Sequence, residues 1–282
     1  MATRTTTITF DRQLLLDTVT GAATGNGLVP EGIADFAKAR GDKQMIVVTS
    51  APKAGSTFLV NTLAKLTGLS GFRLCSAYST NEHDLYLPAL CLMNAHGCIS
   101  PMHMKGTFHN AALMRSFGIT PVILVRRIED IVVSLQHDLR RKEDRPTFGT
   151  GIHGYSFIWQ DRSTGELSDE RLADMIIDLA LPWFVNFYVS WYRLCEQGAV
   201  KALWVTYEQL VGQTEPTLRE ILEFLGVPPP EVIDPELMSR KYETYRDGRT
   251  GQGGDRLTEA QRRRIREHFS YYPTVDFSRY GI

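Results

Sequence analysis

VVTSAPKAGSTFLVNTLAKLTG, the stretch from Val47 to Gly68, passes from a strand pattern through a turn into a helix pattern. β-Branched residues enter the turn, which is rich in Pro, Lys, Gly, Ser and Thr, and apolar residues of helical period leave it. Such a junction directs backbone N–H groups and the positive end of the helix dipole into the turn. We therefore expect the turn, residues 51–57 and here called the anion loop, to bind a phosphate or a sulfate.

The composition is that of one large globular domain. The chain has 282 residues, 43% of them hydrophobic, which is enough for a sizeable core, and we expect a single domain over residues 1–282. Lys and Arg number 31 against 32 Asp and Glu, so no overall field attracts nucleic acid or an anionic membrane. Any basic site must be local, and we expect no nucleic-acid partner.

No stretch of the sequence has the pattern of a targeting signal or a membrane span. The start, MATRTTTITFDRQLL, lacks the apolar core of a secretory signal, and no segment reaches the roughly 18 uncharged residues of a spanning helix. LALPWFVNFYVSWY, residues 179–192, is short and contains Pro182, so we interpret it as a buried core helix. Four cysteines form no CxxC pair and no zinc-ligand spacing: Cys75, Cys91, Cys98 and Cys195. We expect a cytoplasmic protein with reduced thiols and no metal.

Strand and helix patterns alternate after the anion loop. Strands are predicted at CISPMHM (Cys98–Met104), TPVILVR (Thr120–Arg126) and KALWVTY (Lys201–Tyr207), with helices over residues 111–118, 128–142, 171–196 and 215–226. This alternation predicts an α/β fold with a mostly parallel sheet flanked by helices. Ligands of such folds bind beyond the carboxyl ends of the strands. Residues 1–42 are expected to form a helical lead-in.

Residues 140–170 contain too many Gly, Pro and charged residues for a regular element. Long loops of this kind are commonly substrate lids, and a disordered surface insertion is the other interpretation. The aromatic residues in the segment favour a lid: Phe148, Tyr155, Phe157 and Trp159.

The anion loop differs from the nucleotide-binding loop GxxxxGK[ST], in which Lys follows the last glycine and Ser or Thr binds magnesium. Here the order is Pro52, Lys53, Ala54, Gly55, Ser56, Thr57, so the lysine precedes the glycine. The later strand VILV is followed by Arg126 and Arg127 rather than by a metal-binding Asp. This pattern disfavours a P-loop kinase that uses ATP and magnesium, which stays as an alternative.

PKAGST resembles the PKSGTT loop of the sulfotransferase family, whose donor is 3′-phosphoadenosine 5′-phosphosulfate (PAPS). A second resemblance follows the strand VILV, where the family pattern is close to RNPxDxxxS. Arg126, Asp130 and Ser134 hold the places of that pattern, while Arg127 and Ile128 replace its Asn and Pro. A guanidinium fork and a helix hydroxyl suit a phosphate dianion, so the resemblance implies that Arg126 and Ser134 bind the 3′-phosphate.

A third resemblance lies near the C-terminus. RDGRTGQGGDRLT, residues 246–258, is similar to the family loop RKGxxGDWKxxFT in Arg246, Gly248 and Gly251, and Gly253 replaces its Trp. The resemblance implies that Arg246 and Gly248 complete the 3′-phosphate site.

The likeness extends over about residues 45–270 and implies a sulfotransferase fold similar to that of P-loop NTPases. WVTYEQL, residues 204–210, resembles the YED element of the family, which implies that Tyr207 borders the adenine; a core or rim tyrosine is the other interpretation. The residues implied to hold the 5′-phosphosulfate are Lys53, Ala54, Gly55, Ser56 and Thr57.

Two residues are predicted to act in the chemistry. The Lys53 ammonium would reach the oxygen that bridges phosphorus and sulfur in PAPS. Negative charge develops on this oxygen as its bond to sulfur breaks. His103 is the predicted general base, because it lies near a strand end and shares a face with Lys105. Many family members read KTH where this chain reads HMK, so His109 is the fallback. A general base typically increases the rate of reaction by about 10²- to 10⁴-fold.

The resemblance implies a PAPS-dependent sulfotransferase that moves a sulfuryl group to a hydroxyl of a small-molecule acceptor, or less readily to an amine, without a metal. A non-catalytic nucleotide-binding protein is a further alternative. His137 and Asp138, which follow Ser134 on one predicted helix, are candidates to line the acceptor pocket. Aromatic and methionine side chains favour an apolar or aromatic alcohol, although a sugar also stacks on aromatic rings. The sequence predicts neither the acceptor nor the oligomeric state.

Overall fold

The strand pattern before the anion loop forms an inner strand of a parallel sheet. The computed structural model describes residues 43–76, 81–143, 155, 157–158, 162–238 and 251–282. Its strands are β1 (Met45–Ser50), β2 (Cys98–Met102), β3 (Val122–Val125) and β4 (Leu203–Thr206). They are hydrogen-bonded in the order β2-β1-β3-β4, and every pair is parallel. The predicted α/β class with a parallel sheet is confirmed, with strands slightly shorter than expected.

Helices cover both faces of this sheet. The described helices are α1 (Ser56–Thr67), α2 (Leu87–Asn94), α3 (Phe108–Ser116), α4 (Ile128–Glu143), α5 (Arg162–Gly165), α6 (Asp169–Met175), α7 (Leu181–Glu196), α8 (Tyr207–Gly212), α9 (Thr214–Phe224), α10 (Pro235–Met238), α11 (Gln252–Arg256) and α12 (Glu259–Ser270), with a π turn over Ile176–Ala180 and a 3₁₀ turn over Ser278–Tyr280.

Successive residues of β1 enter two separate cores. Val47 belongs to a core that includes residues of α4 and α7, whereas Ile46 and Val48 belong to a second core with α1 and α9. Both faces of the strand are therefore buried, which accounts for its continuous run of apolar residues.

The prediction for residues 140–170 is wrong at both ends of the segment. Helix α4 continues to Glu143, α5 lies inside the segment, and α6 begins at Asp169. The Arg140 guanidinium donates to the carbonyl of Gly165 at 2.8 Å and to the Asp169 carboxylate at 3.2 Å, which joins the end of α4 to the start of α6. Phe148 and Trp159 lie outside the described residues, as does the predicted lead-in over residues 1–42.

The apolar segment around Pro182 forms a core helix. From Asp169 to Glu196 the helical chain is long and apolar enough to cross a membrane by length and composition, yet 61% of its most apolar window is buried in the protein. Tyr188 and Trp191 of α7 are fully buried. Packing in the core of this domain is sufficient to account for its composition.

Helix α7 also fixes the chain that leaves β2. The indole Nε1 of Trp191 donates to the carbonyl of Met104 at 2.8 Å, and the backbone N–H of Gly106 donates to Ser190 Oγ at 2.9 Å. A Cβ atom at Gly106 would lie 2.9 Å from the backbone of Ser190. The missing side chain at Gly106 thus lets residues 103–106 lie directly on α7.

We expect Gly106→Ala to lower the free energy of unfolding by about 1–3 kcal/mol, because an added methyl meets backbone that must shift. Gly71→Ala is the matched control, since a Cβ there meets nothing within 4 Å, and it should change stability by at most about 0.5 kcal/mol. Urea unfolding measures both variants. Equal stability of the two would contradict the close docking of Gly106 on α7.

Candidate anion-binding and transfer site

The anion loop holds a tight backbone conformation between β1 and α1. Lys53 has φ of 71° and Gly55 has φ of 93°, both in the left-handed region. A Cβ atom at Gly55 would lie 2.6 Å from Cδ2 of Tyr207. Glycine is thus required at position 55 by the backbone angle and by the ring beside it. The first N–H groups of α1, which have no acceptor within the helix, therefore open onto the loop.

Arg126 joins the loop to the neighbouring strand. It follows β3 directly, and its Nη1 donates to the carbonyl of Lys53 at 3.3 Å. Its guanidinium carbon lies 4.4 Å from the centre of the Tyr207 ring, which is a cation–π distance. Arg126 therefore lies beside the anion loop, as a shared phosphate-binding site requires.

Tyr207 packs against the loop and begins α8 instead of ending a strand. It is 7% exposed, and its ring contacts both Gly55 and the Arg126 guanidinium. The ring therefore supports the loop and the guanidinium together. Its contact with an adenine stays a prediction.

Asp130 fastens the C-terminal glycine-rich segment to the start of α4. The carboxylate is 2% exposed, and it accepts the backbone N–H of Gly251 at 2.9 Å and of Gly253 at 2.8 Å. A Cβ atom at Gly253 would lie 2.4 Å from Cβ of Glu129, so only glycine allows this approach. Ser134 lies on the same helix, one turn beyond Asp130, and is half-buried.

Arg246 and Gly248 lie outside the described residues, and their predicted role in binding the 3′-phosphate stays a prediction. The described end of their segment, at Gly251, is held against the helix that carries Ser134.

Lys53 extends from the anion loop to α4. Its Nζ lies 3.2 Å from Oδ1 of Asp138, a carboxylate with 6% exposure. His137, next to Asp138 in sequence, faces another element, and its Nε2 lies 2.6 Å from Nη1 of Arg256. The two residues predicted together for the acceptor pocket thus have different neighbours.

His103 lies directly after β2 and contacts the end of β1. Its Nδ1 donates to the carbonyl of Ser50 at 2.8 Å, which leaves Nε2 as the nitrogen with a lone pair. Its backbone N–H donates to Nδ1 of His83 at 2.9 Å, and the two rings stack at 5.6 Å. His109 is on the exposed start of α3, where Nε2 donates to the carbonyl of Leu85 at 3.1 Å.

The His103 imidazole is neutral at physiological pH. Desolvation lowers the pKa of His103 from 6.5 to about 4; its hydrogen bond to Ser50 opposes this shift, and the charges of His83, Arg73 and Lys53 add to it. A neutral imidazole with Nε2 unprotonated can accept a proton.

Comparison with known families identifies the chain. The model of the sulfotransferase domain matches residues 43–269. The chain belongs to the sulfotransferase family. The resemblance found in the anion loop and in the Arg126 motif is therefore confirmed, and the protein is an enzyme of the PAPS-dependent sulfotransferase family.

Solved structures share the fold of this sulfotransferase. The mouse sulfotransferase SULT7A1, complexed with PAP, is 14% identical with a TM-score of 0.56, covering 91% of this chain and 96% of its own. Retinol dehydratase, in complex with androsterone and the inactive cofactor PAP, is 12% identical with a TM-score of 0.53, covering 82% and 81%. A second retinol dehydratase structure contains retinol and PAP. No curated protein matches this sulfotransferase by sequence.

Three contacts of the site were not identified from the sequence. In the sequence, Asp130 is only a matching position of the family motif; in the structure, its carboxylate binds the backbone of the glycine-rich segment. His83 carries no motif, and the Lys53–Asp138 pair joins residues far apart in the chain. Among the described residues, no group of three or more His, Cys, Asp or Glu is placed to hold a metal ion.

We expect the sulfotransferase to lose stability relative to a His103→Gln variant as the pH falls from 6.5 towards 4. In that range the unfolded imidazole is protonated while the folded one is neutral, so the unfolded state binds more protons and acid favours unfolding. The slope is at most about 1.4 kcal/mol per pH unit. Urea unfolding of both proteins across this range measures it. The same pH dependence in both would show that His103 is not held neutral.

Proposed function

We propose that this sulfotransferase moves the sulfuryl group of PAPS to a hydroxyl of a small-molecule acceptor, with His103 as the base and Lys53 at the leaving group. The observation that carries the proposal is the convergence of three elements at the carboxyl end of β1. His103 binds the carbonyl of Ser50, the last residue of that strand, and Arg126 binds the carbonyl of Lys53. A base and two cations thus surround one strand end, where α/β folds bind ligands.

The donor would lie across the anion loop and the start of α4. Ala54, Gly55, Ser56 and Thr57 provide the N-terminal end of α1 for the 5′-phosphosulfate, with Lys53 beside them. Arg126 and Ser134 would hold the 3′-phosphate, with Arg246 and Gly248. PAP in the related structures supports this choice of donor.

Each residue has a defined part in an in-line transfer. His103 Nε2 would accept the proton of the acceptor hydroxyl as its oxygen bonds to sulfur. The bond between sulfur and the bridging oxygen breaks, and its electron pair stays on that oxygen, which becomes part of the 5′-phosphate of adenosine 3′,5′-bisphosphate. The Lys53 ammonium would stabilise that charge.

The acceptor is proposed to be an apolar or aromatic alcohol. Tyr155, Phe157 and Trp183 form a chain of aromatic contacts, with ring centres 5.2 Å and 5.3 Å apart. Tyr155 also donates to Asp138, the partner of Lys53, so this aromatic chain reaches the transfer site. Androsterone and retinol, bound by the related retinol dehydratase, are small apolar molecules and support the proposal.

A cytoplasmic location and a reaction without metal are further parts of the proposal.

We expect calorimetric titration to show that adenosine 3′,5′-bisphosphate binds more tightly than 5′-AMP. Arg126→Ala should weaken binding of the bisphosphate by about 10- to 100-fold, because it removes charged hydrogen bonds to a phosphate. Arg127→Ala, the same charge change at the exposed neighbouring position, is the control and should leave affinity nearly unchanged. Indifference to the 3′-phosphate, or a preference for ATP with magnesium, would contradict PAPS as the proposed donor.

Asp130→Asn should weaken binding of the same bisphosphate by about 10-fold, since it removes a charged acceptor from the N–H groups of Gly251 and Gly253. The segment that includes Arg246 would then no longer be held against α4. Glu129→Gln makes the same charge change one residue away and is the control. Unchanged affinity of Asp130→Asn, with a normal melting curve, would contradict a role of this segment in donor binding.

A further inference from the structure

We propose that Asp138 and Arg141 are positioning residues for Lys53: Asp138 holds the Lys53 ammonium before the donor binds, and Arg141 retains the carboxylate when Lys53 turns to the donor. This inference rests on the proposed function, because it concerns the lysine that would serve the leaving group. It adds an exchange of ion-pair partners to that site.

The Asp138 carboxylate has three described partners, each from a different part of the site. Oδ1 lies 3.2 Å from Lys53 Nζ in the anion loop and 2.9 Å from Arg141 Nη2, one turn further along α4. Oδ2 accepts the hydroxyl of Tyr155 at 2.7 Å. Two cations therefore share a single carboxylate oxygen.

Burial makes the second cation important. Asp138 is 6% exposed, and a buried carboxylate that loses its only cation is strongly destabilised. Arg141 is 49% exposed and lies outside the anion loop, yet it binds the same oxygen as Lys53. With Arg141 in place, Lys53 can leave Asp138 while the buried carboxylate keeps one cation beside it. The Tyr155 hydroxyl remains on the other oxygen throughout.

The exchange has a direction set by charge. Lys53, Asp138 and Arg141 together carry one positive charge, so an anion in the loop attracts the ammonium away from the carboxylate. Asp138 therefore competes with the donor for Lys53, whereas Arg141 competes with Lys53 for Asp138. Removal of Asp138 and removal of Arg141 must then change donor affinity in opposite directions, and only through Lys53.

The test is a set of calorimetric titrations with adenosine 3′,5′-bisphosphate on six full-length proteins. They are the wild type, Asp138→Asn, Arg141→Ala, Lys53→Met, and each of the first two substitutions combined with Lys53→Met. We expect Asp138→Asn to tighten binding and Arg141→Ala to weaken it, each by about fivefold. Both effects should vanish in the Lys53→Met background, because no ammonium remains to be shared.

Three results would overturn the exchange. Equal affinity of the wild type, Asp138→Asn and Arg141→Ala would show that the ion pair does not control Lys53. Persistence of both effects without Lys53 would show that the charges act on the nucleotide directly. Weaker binding by both single variants would show that Asp138 supports the donor site instead of competing with it. Arg141→Ala changes a half-exposed side chain, so its donor affinity alone tests the exchange if Asp138→Asn fails to fold.

The same experiment separates this inference from the proposed function. If the wild type does not bind the bisphosphate, or if Lys53→Met binds it equally well, the proposed donor site fails. If binding depends on Lys53 and the other two substitutions have no effect, only the exchange fails.

Discussion

The contact of the Tyr207 ring with Gly55 and Arg126 is the constraint on which the site depends. Gly55 belongs to the loop after β1, Arg126 follows β3, and Tyr207 follows β4. These strands are neighbours in the order β1-β3-β4, so their carboxyl ends meet at one edge of the sheet. The ring fills the space that a side chain at position 55 would occupy and supports the guanidinium above it. Sheet order, loop conformation and the place of the arginine are thus coupled through one aromatic side chain.

Helix α4 connects this edge with the rest of the site. Asp130, Ser134 and Asp138 recur at intervals of four residues, so they lie along one side of the helix. Asp130 binds the glycine-rich segment at the start of α11, and Asp138 binds Lys53 of the anion loop. Ser134 lies between them. The helix therefore holds both ends of the proposed donor site, while buried apolar residues on its other side fix it in the core.

The proposed transfer chemistry depends on a hydrogen bond to the backbone. The carbonyl of Ser50 accepts the hydrogen bond of Nδ1–H of His103, which leaves Nε2 as the nitrogen proposed to act as the base. His83 holds the backbone N–H of His103 on its other side. Since α7 fixes the following residues through Met104 and Gly106, the orientation of the imidazole is set by elements from three parts of the chain.

The sequence predicted the parts of this molecule that are local. A strand, a glycine turn and a helix lie within one short stretch, so the anion loop and the parallel sheet followed from periodicity and turn chemistry. Arg126 and Ser134 are predicted to bind the 3′-phosphate because their spacing resembles a family motif, and this role stays a prediction. The partners of Asp130, Asp138 and Tyr207 were not predictable in this way, since each joins segments far apart in sequence. Helix α5 and the start of α6, which lie inside residues 140–170, are not predicted either, because the contacts of Arg140 that join the end of α4 to this segment are also non-local.

A crystal structure of the protein with adenosine 3′,5′-bisphosphate would show directly where the donor binds. We expect the 5′-phosphate at the start of α1, the 3′-phosphate on Arg126 and Ser134, and the Lys53 ammonium turned from Asp138 towards the 5′-phosphate. His103 should face the same point from the other side, with Nδ1 still bound to Ser50. A nucleotide bound elsewhere, or one whose 3′-phosphate points into solvent away from Arg126, would contradict the proposed donor site.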